Sequence, residues 1–233
     1  MKIILSLFLI ISCLFISPFL SHSSTPERAS DYDIWWRGFR IGGGEITTHA
    51  AGEEKVAFRS IIHVSAGFPG FRHTLDTVEN AVAGPEGTLS YSRTATENGK
   101  KTASEGQFKN GVFHLDVTSD GKHTTHSFPH RDYDATTMDC PEKTMGPEKK
   151  EMTLRMLDLE TAAIVTRKYR WIGNERMTVA QKQLIASVVD YQDEGKKGRR
   201  WLRANEPVVQ VLRQDGNGED GSYSLRIKGF MEN

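Results

Sequence analysis

The sequence predicts a mostly β protein: a single antiparallel sheet that is strongly curved or forms a half-open barrel, with at most one short helix. Three observations predict this fold. Short runs of β-branched and aromatic residues recur along the chain, Gly, Pro, Asn and Asp separate them at hairpin-like intervals, and several runs alternate apolar with polar side chains. Because about a dozen strands in a flat sheet would leave long exposed edges, we expect strong curvature.

The alternation is clearest in residues 223–228, where Tyr, Leu and Ile alternate with Ser, Arg and Lys, and in residues 56–64. Such strands place one face on the core and the other towards water. Turn signals at residues 110–111 and 120–121 bound a further strand of this kind. Residues 184–189 are apolar on both faces, which predicts a strand covered on two sides.

The segment 129–150 interrupts the strand pattern. It contains three prolines and scattered charges, which predicts a long loop or lid between an N-terminal and a C-terminal set of strands. Directly after it, three apolar residues at helical spacing make 147–159 the one candidate helix, although 152–157 fits a strand equally well.

The first 23 residues have the profile of a secretory signal peptide. Lys2 precedes an apolar run over residues 3–20, and small serines at positions 21 and 23 suit cleavage after Ser23. A retained membrane anchor is one alternative. A second is lipidation at Cys13, which ends a lipobox-like motif, but the residues after Cys13 are apolar where lipoproteins usually have a polar tether.

The predicted organisation is a signal peptide at 1–23, a short linker at 24–30 and one β-rich domain at 31–230. The full chain has 30 basic and 30 acidic residues, so no overall field draws it to nucleic acid or anionic lipid. We therefore expect no nucleic-acid partner, and membrane contact only through the signal or a lipid anchor. Cleavage leaves Cys140 as a lone cysteine, so the fold must depend on its core rather than on an intramolecular disulfide.

Apolar residues in unusual places are the candidate ligand-binding residues. Phe68 and Phe71 lie in a connection where polar residues are usual, and adjacent Trp35 and Trp36 must point to opposite faces of a strand. These four side chains fit the mouth of a hydrophobic cavity. The alternative is that the two indoles occupy separate core layers and the two phenylalanines close a barrel end.

A metal site is the second candidate, with His126 and His130 as its ligands. His123 precedes them, and Asp and Cys residues follow within the loop. On a strand, however, His123 and His126 point to opposite faces, and Pro129 bends the chain before His130. The alternative is that these polar residues simply belong to a solvent-exposed loop and bind no metal.

Three glycines at positions 42–44 permit a close backbone approach. A strand-like segment follows them at 45–49 instead of the helix that a phosphate cradle needs, so the pattern favours a hairpin or bulge over nucleotide binding.

Three stretches of sequence carry a family resemblance: YDIWWRGFRIGGGEI from residue 32, HTLDTVENAVAGPEGTLSYSRTATENGKK from residue 73, and GRRWLRANEPVVQVL from residue 198. In spacing and residue type, residues 31–228 resemble a family of bacterial exported proteins classed as a domain of unknown function. The resemblance implies a half-open antiparallel β-barrel in the cell envelope, similar in outline to the periplasmic lipoprotein carriers of the Lol pathway. It implies no activity.

The sequence contains no serine-hydrolase, phosphate-loop, zinc-protease or paired-cysteine motif, so we assign no catalytic residue and expect no cofactor. The hypothesis is an exported envelope protein that binds a lipid-like or other hydrophobic ligand without catalysis. The alternative is a module that engages an envelope protein through exposed strand edges and the segment 129–150. A hydrolase or metal-dependent enzyme is the third possibility.

Overall fold

The computed structural model describes residues 28–52, 54–68, 71–203, 209–218 and 221–232, and it consists of one sheet of fifteen strands. The strands are β1 (Arg28–Trp36), β2 (Phe39–Ala50), β3 (Val56–Phe68), β4 (Phe71–Gly84), β5 (Gly87–Glu97), β6 (Lys100–Lys109), β7 (Val112–Ser119), β8 (Lys122–Pro129), β9 (Ala135–Thr136), β10 (Glu151–Asp158), β11 (Ala163–Val179), β12 (Lys182–Gln192), β13 (Lys197–Arg203), β14 (Gln210–Gly218) and β15 (Gly221–Glu232).

The strands form an antiparallel meander in two arms. From β1, the N-terminal arm runs through β2 to β8, and the C-terminal arm runs through β15 back to β9. Among the strands that the structure describes, only β9 and β10 pair in parallel, over a short contact. The two end strands are not joined by hydrogen bonds, so the sheet is curved but open. The predicted fold class is therefore confirmed.

Alternation along each strand divides the sheet into an inner face, which carries the main core, and an outer face. On β3, for example, Phe58, Ile62 and Val64 are buried in this core. A second, smaller core lies on the outer face of the C-terminal arm and consists of Ala186, Val188, Trp201 and Leu212. Val188 and Val189 of β12 thus lie in different cores, so this part of the segment 184–189 is covered on both faces as predicted. Ile185 in the same segment is exposed, so the prediction is wrong for that end of the strand.

The end of the C-terminal arm packs against the inner face of β5 through side chains, although no backbone hydrogen bonds join the two end strands. The hydroxyl oxygens of Thr88 on β5 and Thr136 on β9 lie 2.7 Å apart, and Thr88 also donates to the Asp139 carboxylate at 3.0 Å. Farther along β5, Arg93 forms a 2.9 Å ion pair with Glu160 in the turn between β10 and β11. These side-chain contacts replace the backbone ladder that would close a full barrel.

The helix considered for 147–159 is absent. Residues 151–158 form β10 instead and pair with β11 along their whole length, burying Met156 and Leu157 completely. The strand alternative was correct because neighbouring strands supply the backbone hydrogen bonds. Among the described residues, the only helical segments are two 3₁₀ turns, His130–Asp132 and Pro141–Thr144.

Other boundaries also differ from expectation. β1 begins at Arg28, within the segment assigned to a linker. The described part of the chain contains no helix with the length and apolarity needed to cross a membrane.

The three glycines at 42–44 lie inside β2, beside a register shift between Ile34 and Trp35 of β1. A Cβ at Gly42 would collide with the carbonyl oxygen of His63, and one at Gly44 would lie 2.9 Å from that of Ile61. The three glycines therefore allow the backbone of β3 to lie close to β2 next to the bulge. The hairpin turn itself lies at residues 37–38.

Candidate functional site

Trp35 and Trp36 lie on opposite faces of β1, as their adjacency requires. Trp36 packs against the main core on the inner face. Trp35 lies on the outer face, where the guanidinium of Arg226 is 5.3 Å from its ring centroid. Both indoles are half-buried, but they do not line one surface together.

Phe68 ends β3 and Phe71 begins β4, and the two residues are Cα partners in the hairpin between these strands. The intervening residues 69–70 lie outside the described part of the chain. The placement of Phe68 and Phe71 at a barrel end follows from the backbone. Their role in ligand binding stays a prediction.

His126 and His130 are each packed against aromatic rings. His126 stacks on Phe128 at a centroid distance of 6.1 Å, and His130 contacts Phe108 at 5.6 Å and Tyr133 at 5.2 Å. The described residues contain no group of three or more His, Cys, Asp or Glu side chains arranged to hold a metal ion. Among the described residues, the fold therefore brings no third metal ligand to His126 and His130. The other predicted feature, Cys13 with the signal sequence, lies outside the described residues.

The segment between β8 and β10, residues 130–150, does not lie over the barrel as a lid would. It enters the inner side, where Met138, Cys140 and Met145 are buried in the main core. The carboxylate of Glu142 forms a short ion pair with Arg200 on β13, and both side chains are almost fully buried. The loop is thus held by a charge pair that is shielded from water.

Arg200 belongs to a buried polar network on the inner face of the C-terminal arm. Its Nε donates to Gln214 on β14 at 2.8 Å, and Gln214 donates to the hydroxyls of Tyr191 and Tyr223 at 2.9 and 3.3 Å. The two hydroxyls are 2.9 Å apart. Burial raises the pKa of Tyr191 well above its usual value, so this phenol stays neutral.

A second guanidinium contacts the same tyrosine. Arg167 on β11 and Arg200 lie 5.4 and 4.8 Å from the ring centroid of Tyr191, which permits cation–π attraction from both. Arg167 also donates two hydrogen bonds to one carboxylate oxygen of Asp193, at 2.9 and 2.7 Å. Each buried cation has its own carboxylate, so the network is compensated, which fits a structural role.

At the end of the same C-terminal arm, Glu160 in the turn between β10 and β11 is a carboxylate with a perturbed pKa. Burial raises the pKa of Glu160 to about 7, and the positive charge of Arg93 opposes this rise. The Glu160 carboxylate therefore changes charge near neutral pH at the contact where the two arms meet.

A groove opens on the inner face near the hairpin between β11 and β12. We call it the inner groove. It has a volume of about 760 Å³, and its apolar lining includes Met145, Pro147, Trp171, Ile185, Leu202 and Val209. Polar side chains also line it, two of them cationic: Lys143, Asn174, Gln183 and Arg203. Ile185 is 58% exposed although it lies on the same face of β12 as the core residue Val189. The indole of Trp171 is oriented by a 3.0 Å hydrogen bond from its Nε1 to Ser187.

None of the residues proposed from sequence lines the inner groove. The available signal was the apolar segment 184–189, which includes Ile185, together with Trp171 on the neighbouring strand. That signal predicted a covered strand and gave no indication that one end of it stays open.

No protein-family model and no curated protein matches the sequence. Among solved structures, the chain is similar to a β-barrel-like protein of the domain of unknown function DUF1849 from Brucella abortus, with a TM-score of 0.63 and 9% identity over 91% of this chain and 99% of that one. The two proteins share a fold. The half-open β-barrel implied by the family resemblance is therefore confirmed at the level of architecture.

Two further crystal structures align with lower scores. A protein with a YmcC-like fold from Bacteroides fragilis has a TM-score of 0.35 and 10% identity over 94% of this chain and 100% of that one. A DUF1329 family protein from Desulfovibrio piger has a TM-score of 0.25 and 8% identity over 91% and 87% of the two chains. Scores this low carry no argument about this chain.

Proposed function

We propose that the protein is an exported cell-envelope protein that binds a lipid-like or other apolar ligand in the inner groove without catalysis. The observation that carries this proposal is the exposure of Ile185 inside a groove lined by Trp171, Leu202 and Val209. Apolar surface in a concave site favours an apolar ligand, because binding removes that surface from water.

The rest of the barrel interior supports the assignment to the groove rather than to a central cavity. Loop residues around Glu142 and the network of Tyr191 and Gln214 fill the inner side of the C-terminal arm. A ligand that entered there would have to separate buried, compensated charges, which is costly. The inner groove is already open and has an apolar stretch around Trp171 and Ile185, so an acyl chain can enter it without separating the pair of Glu142 and Arg200.

Export is the second part of the proposal, and it depends on the signal-peptide profile of residues 1–23. The intact mass of the protein recovered from its native host separates the three forms of the N-terminus. A mass corresponding to cleavage after Ser23 supports a free protein, a diacylglyceryl mass on Cys13 supports a tethered one, and the uncleaved mass of the full chain contradicts export with processing.

Ligand binding is tested with a pyrene-labelled fatty acid and two matched variants, Ile185→Glu and Ile61→Glu. Ile185 lines the inner groove, whereas Ile61 lies on the outer face of β3 with 42% exposure. We expect saturable binding by the wild type and a loss of affinity of at least about tenfold in the Ile185 variant, because a carboxylate is desolvated by the acyl chain. The Ile61 variant should bind as the wild type does.

Absence of saturable binding by the folded wild type would contradict the proposal, as would equal losses in both variants. The Ile185→Ala variant removes apolar surface without adding a charge. It should weaken binding by a smaller factor than Ile185→Glu does, which separates the loss of apolar contact from the effect of the new charge. Organic extraction of the purified protein provides an independent measurement: the expected result is a lipid mass present in the wild type and reduced in the Ile185→Glu variant.

A further inference from the structure

A second groove lies on the outer face of the C-terminal arm, on the opposite side of the sheet from the inner groove. We call it the outer groove. Its volume is about 870 Å³, and it crosses the strands from β10 to β15 and reaches β1. Among the described residues, six cationic and three acidic side chains line it: Arg37, Lys168, Arg170, Lys197, Arg199 and Arg226, with Glu151, Asp190 and Asp215. The groove is therefore basic in a chain that has no net charge.

The strand register explains how the cations are arranged. Lys168 on β11 and Lys197 on β13 both pair with Gln192 of β12, so they lie in one row across the sheet. Arg170 and Arg199 occupy the next row on the same two strands, on either side of Asp190. Because neighbouring strands lie about 4.8 Å apart, the positive charges repeat at roughly 10 Å.

Two of the three acids in the groove are already engaged. Asp190 accepts from Arg199 at 2.6 Å and from Arg170 at 3.4 Å, which keeps the pKa of Asp190 below its usual value. Asp215 pairs with Arg213. In contrast, within the described part of the chain no carboxylate lies within ion-pairing distance of Lys168, Lys197 or Arg226. Arg226 donates to the hydroxyl of Ser224 at 3.0 Å, and the ammonium groups of Lys168 and Lys197 are the cations available to a ligand.

The two indoles of this face hold arginines in place. The guanidinium of Arg213 lies 4.6 Å from the ring centroid of Trp201, and that of Arg226 lies 5.3 Å from the ring centroid of Trp35. Cation–π contacts of this kind restrict an otherwise flexible side chain. Trp35 thus positions a cation at one end of the outer groove.

We propose that the outer groove binds an extended acidic segment of a partner protein. The groove is concave, which fits a chain better than the flat surface of a membrane. Its cationic rows also contain the amides of Gln192 and Asn217, which offer donors and acceptors together. A peptide backbone requires both, whereas a phosphate requires donors alone. Carboxylates on alternate residues of an extended peptide repeat at about 7 Å, which long lysine side chains can span.

The test uses fluorescence anisotropy with a fluorescein-labelled peptide of alternating Glu and Ser residues. The groove variant is Lys168→Glu combined with Lys197→Glu. The control is Lys100→Glu combined with Lys101→Glu, which makes the same change in net charge on exposed residues of β6. We expect the wild type and the control to bind alike, and the groove variant to lose at least about tenfold in affinity.

Binding by the wild type should weaken as salt is raised, because exposed charges are screened. Failure of the folded wild type to bind the peptide overturns the proposal, and so does an equal loss in the groove variant and the control. If the groove variant instead loses binding to phosphatidylglycerol vesicles while the peptide does not bind, the surface contacts a membrane and the proposal is wrong. The Ile185→Glu variant should keep its peptide affinity, so this test is independent of the inner groove.

Discussion

The two arms of the sheet share a backbone plan and differ in what their inner faces carry. In the N-terminal arm, strands β3 and β4 place Phe58, Val64 and Leu75 on the inner face. In the C-terminal arm, the corresponding positions include Arg167 and Arg200, both almost fully buried. The N-terminal arm buries apolar side chains together with hydroxyls such as those of Ser60 and Thr77, whereas the C-terminal arm is organised around buried guanidinium–carboxylate pairs and an inserted loop.

Both candidate binding grooves lie on the arm with the buried charges. The inner groove and the outer groove both lie on the C-terminal arm, one on each of its faces. The same strands therefore separate a groove with an apolar stretch around Ile185 from a groove lined by many charged side chains. Strand β12 contributes residues to both grooves and therefore lies between the two candidate binding surfaces.

The largest expected effect breaks the charge network of the C-terminal arm. Arg200→Met leaves the buried carboxylate of Glu142 without its cation, and we expect the free energy of unfolding to fall by about 3–5 kcal/mol. Urea denaturation measures this change. Arg199→Met is the matched control, because Arg199 is exposed and should cost less than about 1 kcal/mol.

The double variant Glu142→Met, Arg200→Met should recover most of the lost stability, since apolar side chains replace both charges. If Arg200→Met and Arg199→Met cost the same, burial of the pair of Glu142 and Arg200 does not increase its contribution to the free energy of unfolding.

The next effect concerns a feature that both arms share, an aromatic ring packed over a glycine. A Cβ on Gly106 would lie 2.5 Å from Cε1 of Phe113 in the N-terminal arm, and one on Gly216 would collide with the ring of Tyr223 in the C-terminal arm. Gly106→Ala and Gly216→Ala should each cost about 1–3 kcal/mol in urea denaturation, because the ring must move. Gly67→Ala, where the Cβ meets nothing within 4 Å, is the control.

The contact between the arms should depend on pH. The pKa of Glu160 is raised from 4.5 in the unfolded chain to about 7 in the folded protein. The stability contributed by protonated Glu160 is therefore fully present below about pH 4.5 and is lost as pH rises through about 7.

Melting temperatures of the wild type and Glu160→Gln, measured between about pH 5 and pH 8, test this dependence. The wild type should lose more stability than the variant across this range. The comparison with the variant cancels the histidine contributions, including that of His73, whose pKa is lowered by burial. Parallel curves for the two proteins would mean that Glu160 does not titrate in this range.

The smallest expected effect is a surface ion pair of the N-terminal arm. Arg40 contacts Asp33 at 2.6 Å, but its side chain is 54% exposed. Arg40→Met should change the free energy of unfolding by less than about 1 kcal/mol, and high salt should remove the difference. A cost as large as that of Arg200→Met would show that burial does not separate strong from weak pairs in this sheet.

Local sequence determined most of the strands. The hairpins at 110–111 and 120–121 have the positive φ angles that Asn, Asp and Gly tolerate, and the residues between them form β7 as predicted. The segment 151–158 was ambiguous because its apolar spacing satisfies both periods. Pairing with β11 resolved it, and no window of sequence contains that partner.

The candidate sites were much less predictable. Trp35 was correctly placed on the face opposite Trp36, because adjacent residues of a strand must point apart. The pair of Glu142 and Arg200 is separated by 58 positions, and no spacing rule connects them. The same holds for the two grooves, whose linings come from several strands.

By itself, the sequence determined the β class, the two-faced strands and the tight turns, since alternation and turn chemistry act over a few residues. The export signal is likewise a local pattern and stays a prediction from sequence. Only the tertiary structure decided that residues 130–150 lie inside the barrel, that the arms meet edge to face at β5, and that Ile185 stays open while Val189 is covered. These features depend on how far the sheet curls, a sum of small twists over fifteen strands that no single segment specifies.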